Sequence, residues 1–194
     1  FYVRVAVLPD APYQRLEDLV GKRIGIIREG DTGAIATRVM LNRLGFDPQR
    51  DVRWVTVGQG APALNALQRN VVDALAIWDA EFARLENLGG QFKYVQLPPE
   101  TRALPGWYWS TANPISWAEW VGPCMRAMTK ATIFTQTNPE AAVKLHWDLY
   151  PESKPTGIPE DRALKEALHV LGSRLNAYYP ADKDGNPDPN GLYG

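Results

Sequence analysis

The stretch "EDLVGKRIGIIREGDTGAIATRVMLNRLGFDP", residues 17–48, predicts a strand, a glycine-bearing turn and a helix in succession. Apolar side chains bounded by polar ones indicate a short buried strand over 22–27. After the turn, Ile35, Val39 and Met40 recur at helical spacing and predict the buried stripe of a helix. This unit of strand, turn and helix is the pattern from which an α/β fold is built.

The ends of this helix carry their own signals. Asp31 or Thr32 is placed to cap its N-terminus, and Gly45 is placed to end it. The first backbone N–H groups of a helix have no partner inside the helix, so this turn suits a polar or anionic ligand group. An ordinary βα turn that binds nothing is the other interpretation of the same residues.

Further strand and helix patterns alternate on both sides of this unit. Asp79 is predicted to cap a helix whose stripe is Phe82, Leu85 and Leu88. Strands that alternate with helices at this spacing predict a parallel, helix-covered α/β sheet. The predicted strands cover residues 2–8, 22–27, 51–57, 71–78 and 91–97.

The sequence becomes irregular and aromatic after Pro98, and then helical from Pro123. Three apolar stripes predict core-facing helices in this part. The stripes are Cys124, Met128, Ala131 and Thr135; Val143, Trp147 and Tyr150, in a helix that begins at Asn138; and Leu164, Leu168, Leu171, Leu175 and Tyr178.

Composition excludes several classes of protein. The formal net charge of −1 over 194 residues offers no basic excess for nucleic acid, and no apolar run is long enough to cross a bilayer. Cys124 is the only cysteine, so a disulfide within the chain and a cysteine-based metal site are both ruled out. The chain starts at Phe1 without a signal segment, and we therefore expect a processed or partial product.

One motif points to a nucleotide-dependent enzyme. The loop "GQGAPA" matches G-x-G-x-x-A through Gly58, Gly60 and Ala63, and Asp79 follows at about the spacing of 20 residues that a ribose-binding acid requires. The preceding strand carries Asp51 and Arg53, whereas the central strand of a doubly wound sheet is a continuous apolar run. Dinucleotide binding is therefore the weaker interpretation of this loop.

Metal sites are weakly indicated. The tail resembles a calcium loop, but Gly185 comes before the sixth position, where such a loop has its glycine, and the twelfth position is Tyr193 instead of Glu. His146 and His169 have no second metal ligand at suitable spacing, and Cys124 is predicted to be a small buried apolar residue. No metal and no cofactor is predicted. The acidic and amide positions of the tail are Asp182, Asp184, Asn186 and Asp188.

Four segments taken together resemble a known family. They are "EDLVGKRIGI", "LNRLGFDPQRDVRWVTVG", "ALNALQRNVVDALAIWDAEFARLENLGG" and "CMRAMTKATIFTQTNPEAAVKLHWDLYP", in this order. Their order and spacing are similar to those of the periplasmic solute-binding proteins of ABC importers, in the nitrate, sulfonate, taurine and thiamine-pyrimidine group. The resemblance runs from about Val7 to about Pro151 and is specific as a set.

The resemblance implies a two-lobed α/β clamp of the type II periplasmic-binding-protein kind, which closes on a small molecule at a hinge. Residues 1–10 would form a hinge strand, 11–100 the second lobe, and 101–194 the return crossing with C-terminal helices that pack on the first lobe. Most of the first lobe is then expected to lie before Phe1. The cysteine-rich motif of the pyrimidine-synthesising relatives is absent, which argues against that enzyme activity.

One departure from the family pattern concerns a turn. Where the family usually has glycine before "VVDA", this chain has Asn70. Asparagine tolerates the left-handed backbone conformation better than other non-glycine residues, so we expect the turn to be kept.

The resemblance also implies where a ligand would bind. In such clamps the loops after the strands of the second lobe face the cleft, which agrees with the position of ligand sites at the carboxyl ends of strands. Trp107, Tyr108 and Trp109, near the return crossing, are weaker candidates. The predicted ligand-binding residues are Gly30, Asp31, Thr32, Gly33, Gln59, Gly60, Trp78 and Asp79.

Their expected roles differ. The backbone N–H groups of residues 30–33 and the Thr32 hydroxyl are the expected donors to an anionic group. Asp31 would repel an anion unless its carboxylate is occupied in capping the helix. Trp78 could stack on a planar part of the ligand, and burial in the core is an equal alternative for it.

These patterns support one main hypothesis about function. The chain is expected to bind a small polar or anionic organic solute for an ABC importer, to perform no chemistry, and to act as a periplasmic or lipid-anchored monomer that docks on a membrane permease. A nucleotide-dependent α/β enzyme and the ligand-sensing domain of a transcription regulator are the alternatives.

Overall fold

The structure is a computed structural model and describes residues 3–98 and 120–175. The chain divides into two compact units, Phe1–Leu104 and Pro105–Gly194. In the first unit, five strands form one sheet in the order β3-β2-β4-β1-β5. The elements of this unit are β1 (Val3–Val7), a 3₁₀ turn (Leu16–Leu19), β2 (Arg23–Ile26), α1 (Thr32–Arg43), β3 (Arg53–Thr56), α2 (Ala61–Gln68), β4 (Ala74–Trp78), α3 (Asp79–Asn87) and β5 (Lys93–Tyr94).

The sheet is mixed, so the prediction of a parallel sheet is wrong for one strand. Strand β2 pairs in parallel with β3 and β4, whereas β1 runs antiparallel to both β4 and β5. The reason lies in the connection over residues 8–22, which contains only the short 3₁₀ turn. Without a crossover helix in this connection, β2 runs in the direction opposite to β1, and β4, which is parallel to β2, therefore pairs antiparallel with β1.

The two faces of the sheet are covered by different helices. Alternate residues of the central strands point to opposite faces, so Ala74 and Ala76 join one apolar core while Leu75 and Ile77 join the other. The first core includes α1 and the 3₁₀ turn, and the second includes α2 and α3. The first unit is therefore a three-layer α/β/α structure.

Helix α1 buries a different face from the one predicted. Ile35 and Val39 are exposed, by 52% and 42% respectively. The buried face instead contains small residues, because α1 packs closely on β4: a Cβ atom added to Gly33 would lie 2.4 Å from the carbonyl oxygen of Ala76. Backbone approach of this kind selects glycine and alanine over branched apolar residues. The buried residues are Gly33, Ala34, Ala36, Thr37, Met40 and Leu41.

Local turn predictions are confirmed. Gly45 and Gly89, which end α1 and α3, have φ values of 89° and 87°. Asn70 has φ 54° and is, within the described residues, the non-glycine residue with positive φ. The turn before β4 is therefore kept with asparagine, as predicted.

An ion pair joins β2 to the segment before β4. Both Nε and Nη2 of Arg23 donate to the Asp73 carboxylate, across 3.0 Å and 2.9 Å, and the Arg23 backbone N–H donates to it across 2.8 Å. These hydrogen bonds, led by those of the guanidinium group, hold the pKa of Asp73 below its usual value. The pair fixes the register of the two parallel strands at their amino ends.

In the second unit the described elements are α4 (Gly122–Thr137), α5 (Pro139–Leu149), a 3₁₀ turn (Pro151–Ser153) and α6 (Glu160–Leu175). Val143 and Trp147 of α5 pack with Ala163 of α6, and Leu164, Leu168 and Leu171 lie against them. The stripes of α5 and α6 are thus confirmed at these positions. The prediction that Tyr150 is buried is wrong, because this residue follows the end of α5 and is 52% exposed.

The predicted core stripe of α4 is also wrong within the described residues. Cys124 is exposed instead of buried, and Met128 is 40% exposed. Threonine hydroxyls of α4 are satisfied within the helix, because they donate to backbone carbonyls one turn earlier, as Thr132 does to Met128. Trp107, Tyr108, Trp109 and Tyr178, and the tail positions Asp182, Asp184, Asn186 and Asp188, lie outside the described residues.

Candidate functional site

Three loops meet at one edge of the sheet in the first unit. Strands β3, β2 and β4 are neighbours and run in parallel, so their carboxyl ends share this edge. The loops over residues 27–31 and 57–60 and the β4–α3 junction follow these ends. All eight predicted ligand-binding residues therefore lie on this edge, which is where open α/β sheets bind ligands.

Asp31 closes the first of these loops. Its Oδ1 accepts a hydrogen bond from the Ala34 N–H at 2.7 Å, and its Oδ2 accepts from the N–H groups of Ile27 and Arg28 at 3.0 Å and 3.1 Å. The residue is 6% exposed. Asp31 is thus the N-cap of α1, and its negative charge is compensated by three backbone donors, which leaves less repulsion for an incoming anion.

The first turn of α1 follows this cap. Thr32 is exposed at the first helical position, and Gly33 comes next. The geometry of an α-helix leaves the N–H groups of these first positions without a carbonyl inside the helix. Gly33 has a structural role as well, because its missing side chain lets the start of α1 rest on β4. Gly30 lies in the same loop with φ 77°.

Glu81 organises the second loop, although no motif in the sequence points to it. Its side chain is completely buried at the third position of α3. Its Oε1 accepts from the Gly60 N–H at 2.7 Å, and its Oε2 accepts from Gln59 Nε2 at 2.9 Å and from Arg84 Nη1 at 3.3 Å. Glutamate at the third helical position is a capping signal, but here it caps the start of another helix.

The third loop is shorter than predicted. Trp78 ends β4 and is also the N-cap of α3, with extended backbone angles, so the predicted cap at Asp79 is wrong by one position. The strand passes into the helix without a linker, which places Asp79 at the first helical position. There its Oδ1 accepts from the Ala80 N–H at 2.7 Å. Trp78 is half-buried at this edge.

A polar cluster flanks α3 on the side of β5. Tyr94 packs edge-on against Phe82, with ring centroids 5.3 Å apart, and its hydroxyl donates to Glu86 at 3.0 Å. Partial burial first, and then the Glu86 carboxylate, raise the pKa of Tyr94. Tyr94 therefore stays neutral and acts as a hydrogen-bond donor.

Within residues 3–98 and 120–175, no group of three His, Cys, Asp or Glu side chains is arranged to hold a metal ion. No helix in those ranges is both long enough and apolar enough to cross a membrane.

Comparisons with known proteins agree with the geometry. The model of the family described as ABC transporter, phosphonate, periplasmic substrate-binding protein matches residues 1–121. The aliphatic sulphonate binding protein SsuA from Escherichia coli is 19% identical with a TM-score of 0.67, over 92% of this chain and 53% of its own. A comparison with curated proteins gives no match.

A second similar structure is the alkanesulfonate-binding protein SsuA from Xanthomonas axonopodis pv. citri, bound to MOPS. It is 20% identical with a TM-score of 0.57, over 87% of this chain and 55% of its own. The chain thus spans about half the length of both proteins, and at these identities the likeness shows the fold alone. It confirms the predicted periplasmic-binding-protein fold.

The family match confirms the resemblance to ABC solute-binding proteins, and it adds phosphonate, which the sequence analysis did not name. The match covers more than half of the chain and includes all three loops of the candidate site. The chain belongs to the family of periplasmic substrate-binding proteins of phosphonate ABC transporters.

Proposed function

We propose that this chain is part of the solute-binding component of an ABC importer and captures a small organic anion of the sulfonate or phosphonate class. The family match supports the transporter role, and the edge formed by the three loops supports the position of the ligand. The observation that carries the proposal is the capped start of α1, where Asp31 is compensated by three backbone donors and Thr32 is exposed.

The chemistry of this helix start favours an oxyanion. The N–H groups of Thr32 and Gly33, the Thr32 hydroxyl and the positive end of the helix dipole all favour negative charge. Sulfonate and phosphonate each offer three oxygens as hydrogen-bond acceptors on one tetrahedral centre. The named relatives fit this chemistry, since the family is described by phosphonate and both SsuA proteins by sulfonates.

The second loop is less suited to a phosphate group. In a dinucleotide site, the glycine-rich loop offers its backbone N–H groups to a pyrophosphate. Here the Gly60 N–H is bonded to the carboxylate of Glu81, which would repel a phosphate. We therefore place the anionic group of the ligand at α1 and propose a binding protein without enzyme activity.

The remaining features of the proposal follow from the family. We propose that the protein works in the periplasm or is lipid-anchored, and that as a monomer it docks on a membrane permease and does not bind nucleic acid. We further propose that residues 1–10 form a hinge strand and 11–100 one lobe. Residues 101–194 then form the return crossing and the C-terminal helices that pack on the other lobe.

The test is calorimetric titration of the full-length protein with methylphosphonate, ethanesulfonate, nitrate, an aminopyrimidine and NADH. Thr32→Pro is the informative variant. Proline is tolerated at the first helical position, and Asp31 already has the extended backbone that a residue before proline adopts. The variant should fold, lose one N–H donor and the hydroxyl, and bind the anion about tenfold more weakly or not at all.

Thr32→Ala is the matched control, because it removes the hydroxyl and keeps the N–H group. We expect it to bind better than Thr32→Pro. Binding of a sulfonate or phosphonate that is weakened by Thr32→Pro would support the proposal. Binding of NADH alone would overturn it in favour of the enzyme, and full affinity in Thr32→Pro would remove α1 from the site.

A further inference from the structure

The buried carboxylate of Glu81 accepts a hydrogen bond from the side chain of Gln59, which is exposed. Gln59 lies between Gly58 and Gly60, in the loop that follows β3, and its side-chain nitrogen donates to Glu81 Oε2 at 2.9 Å. Glu81 lies in α3, so its contacts connect the second loop of the candidate site to the helix that begins at the third. Its completely buried side chain can reach Gln59 and Gly60 only while this arrangement is kept.

The chemistry of a carboxylate determines which way the Gln59 amide faces. An ionised carboxylate accepts hydrogen bonds and donates none, whereas a carboxamide has a donor end and an acceptor end. The amide nitrogen of Gln59 must therefore face Glu81, and the amide oxygen Oε1 faces away from it. Arg84 Nη1 also donates to Glu81 Oε2, at 3.3 Å, so the groups named around this carboxylate are all hydrogen-bond donors.

The hydrogen bond to Glu81 opposes turning the Gln59 amide over. Gly58 and Gly60 both have positive φ, 77° and 71°, so the backbone on each side of Gln59 is in a conformation that favours glycine. The Gly60 N–H is bonded to the same carboxylate at 2.7 Å. Turning the amide would bring its oxygen against Glu81 and place two acceptors in contact.

We propose that Glu81 is a positioning residue that makes Gln59 present a hydrogen-bond acceptor at the ligand edge. The inference rests on the proposed function and deepens it. A ligand whose anionic group lies at the start of α1 would meet the Gln59 oxygen with another part of the molecule, and that part must carry a donor. The ligand class is therefore a small sulfonate or phosphonate that bears a hydroxyl or amino group.

The test compares ligands that differ by one donor. We would titrate the full-length protein with 2-hydroxyethanesulfonate and ethanesulfonate, and with 2-hydroxyethylphosphonate and ethylphosphonate. The measured quantity is the ratio of the two Kd values within each pair. We expect the hydroxylated member to bind about tenfold more tightly or better, because a site built to hydrogen-bond a hydroxyl discriminates against the analogue that lacks it.

Two variants separate positioning from general structure. In Glu81→Gln, the new carbonyl can still accept from the Gly60 N–H, but the new NH₂ group makes Gln59 turn its oxygen inward. The preference for the hydroxylated ligand should then fall to parity, whereas a purely structural loss would weaken both ligands equally. Gln59→Met changes an exposed side chain and keeps the hydrogen bond between Gly60 and Glu81. It therefore tests the same loss of preference if Glu81→Gln does not fold.

Glu140→Gln makes the same chemical change on the surface of α5 and should leave the ratio unchanged. Loss of the preference in Glu81→Gln and in Gln59→Met, with the preference kept in Glu140→Gln, would support the proposal. Equal binding of both members of each pair by the natural protein would overturn it while the proposed function stands. If no sulfonate or phosphonate binds, the proposed function fails and the inference fails with it.

Discussion

The backbone N–H of Gly60 donates to Oε1 of Glu81 across 2.7 Å, although the two residues are 21 positions apart. The bond joins the start of α2 to the first turn of α3. It satisfies an N–H group that a helix start leaves unpaired, and it places a buried negative charge where a nucleotide-binding loop would receive a phosphate. This contact argues against a dinucleotide site in the second loop.

Glu81→Ala should destabilise the first unit by about 2 kcal/mol. The variant leaves the Gly60 N–H and the Gln59 amide without their acceptor, and loss of a charged, buried hydrogen-bond partner has a cost of this order. Urea unfolding followed by circular dichroism measures the change. Glu140→Gln, on the exposed surface of α5, should lie within about 0.5 kcal/mol of the natural protein. A similar cost for both variants would show that the contact adds nothing specific.

Gly33→Ala should prevent normal folding or cost about 3 kcal/mol. The new Cβ would lie 2.4 Å from the Ala76 carbonyl oxygen, a backbone atom in the middle of the sheet that has no room to move. Gly172→Ala is the matched control, because a Cβ at this position of α6 meets nothing within 4 Å. It should raise stability by about 0.5–1 kcal/mol, as alanine does inside helices.

Scanning calorimetry of the two glycine variants gives the comparison directly. A lowered Tm for Gly33→Ala beside an unchanged or raised Tm for Gly172→Ala is the expected pattern. Equal melting temperatures would mean that α1 does not pack against β4 as closely as described.

Asp31→Ala should destabilise the protein by about 2 kcal/mol and weaken anion binding. The carboxylate satisfies three backbone N–H groups, including the Ala34 donor of α1, and its loss removes both the cap and the shape of the loop. Asn138→Ala is the control, because Asn138 is the N-cap of α5 but its side chain makes no capping hydrogen bond. Thermal unfolding should separate the two variants clearly, and an equal loss from both would contradict the assigned role of Asp31.

Asp73 should make stability depend on pH in the acid range. Hydrogen bonds from Arg23 depress the pKa of Asp73 in the folded protein below the value of 3.8 expected without them. Its stabilisation is therefore fully present above about pH 4 and is lost as the pH falls through the lower pKa of the folded state. In Asp73→Asn this part of the pH dependence should disappear. The free energy of unfolding should be lower by about 1 kcal/mol at neutral pH.

Denaturant unfolding at a series of pH values from neutral to acid measures this effect. The difference in unfolding free energy between the natural protein and Asp73→Asn should shrink as the pH falls. A difference that stays constant would show that the Arg23 pair does not contribute through the charge of Asp73. Asp161→Asn, an exposed change in α6, controls for the loss of one carboxylate.

The sequence predicted those parts of the site that depend on neighbouring residues. Asp31 was identified as a candidate cap because a capping side chain reaches only three residues along the chain, to Ala34. The sequence also predicts the helix ends at Gly45 and Gly89 and the left-handed turn at Asn70, since the backbone angle of one residue is a local property. The three loops could be placed at one edge because the order of strands and helices indicated parallel neighbours.

Long-range contacts were outside the reach of these patterns. Helical spacing predicts a buried face of α1 at Ile35 and Val39, but the structure requires a small residue at Gly33 because the Ala76 carbonyl oxygen of β4 lies against it. The apolar stripe of Cys124 and Met128 was assigned to a core, but periodicity shows only that a helix has an apolar face and does not show what covers it.

By itself, the sequence determined the α/β class, the C-terminal ends of α1 and α3, and the family, because these follow from local backbone preferences and from the order of segments along the chain. Only the tertiary structure decided that β1 runs antiparallel between β4 and β5, and that the carboxylate of Glu81 reaches Gly60 and Gln59. Both outcomes depend on which distant segments pack together, and that is settled by burial of the whole unit and not by any one stretch of residues.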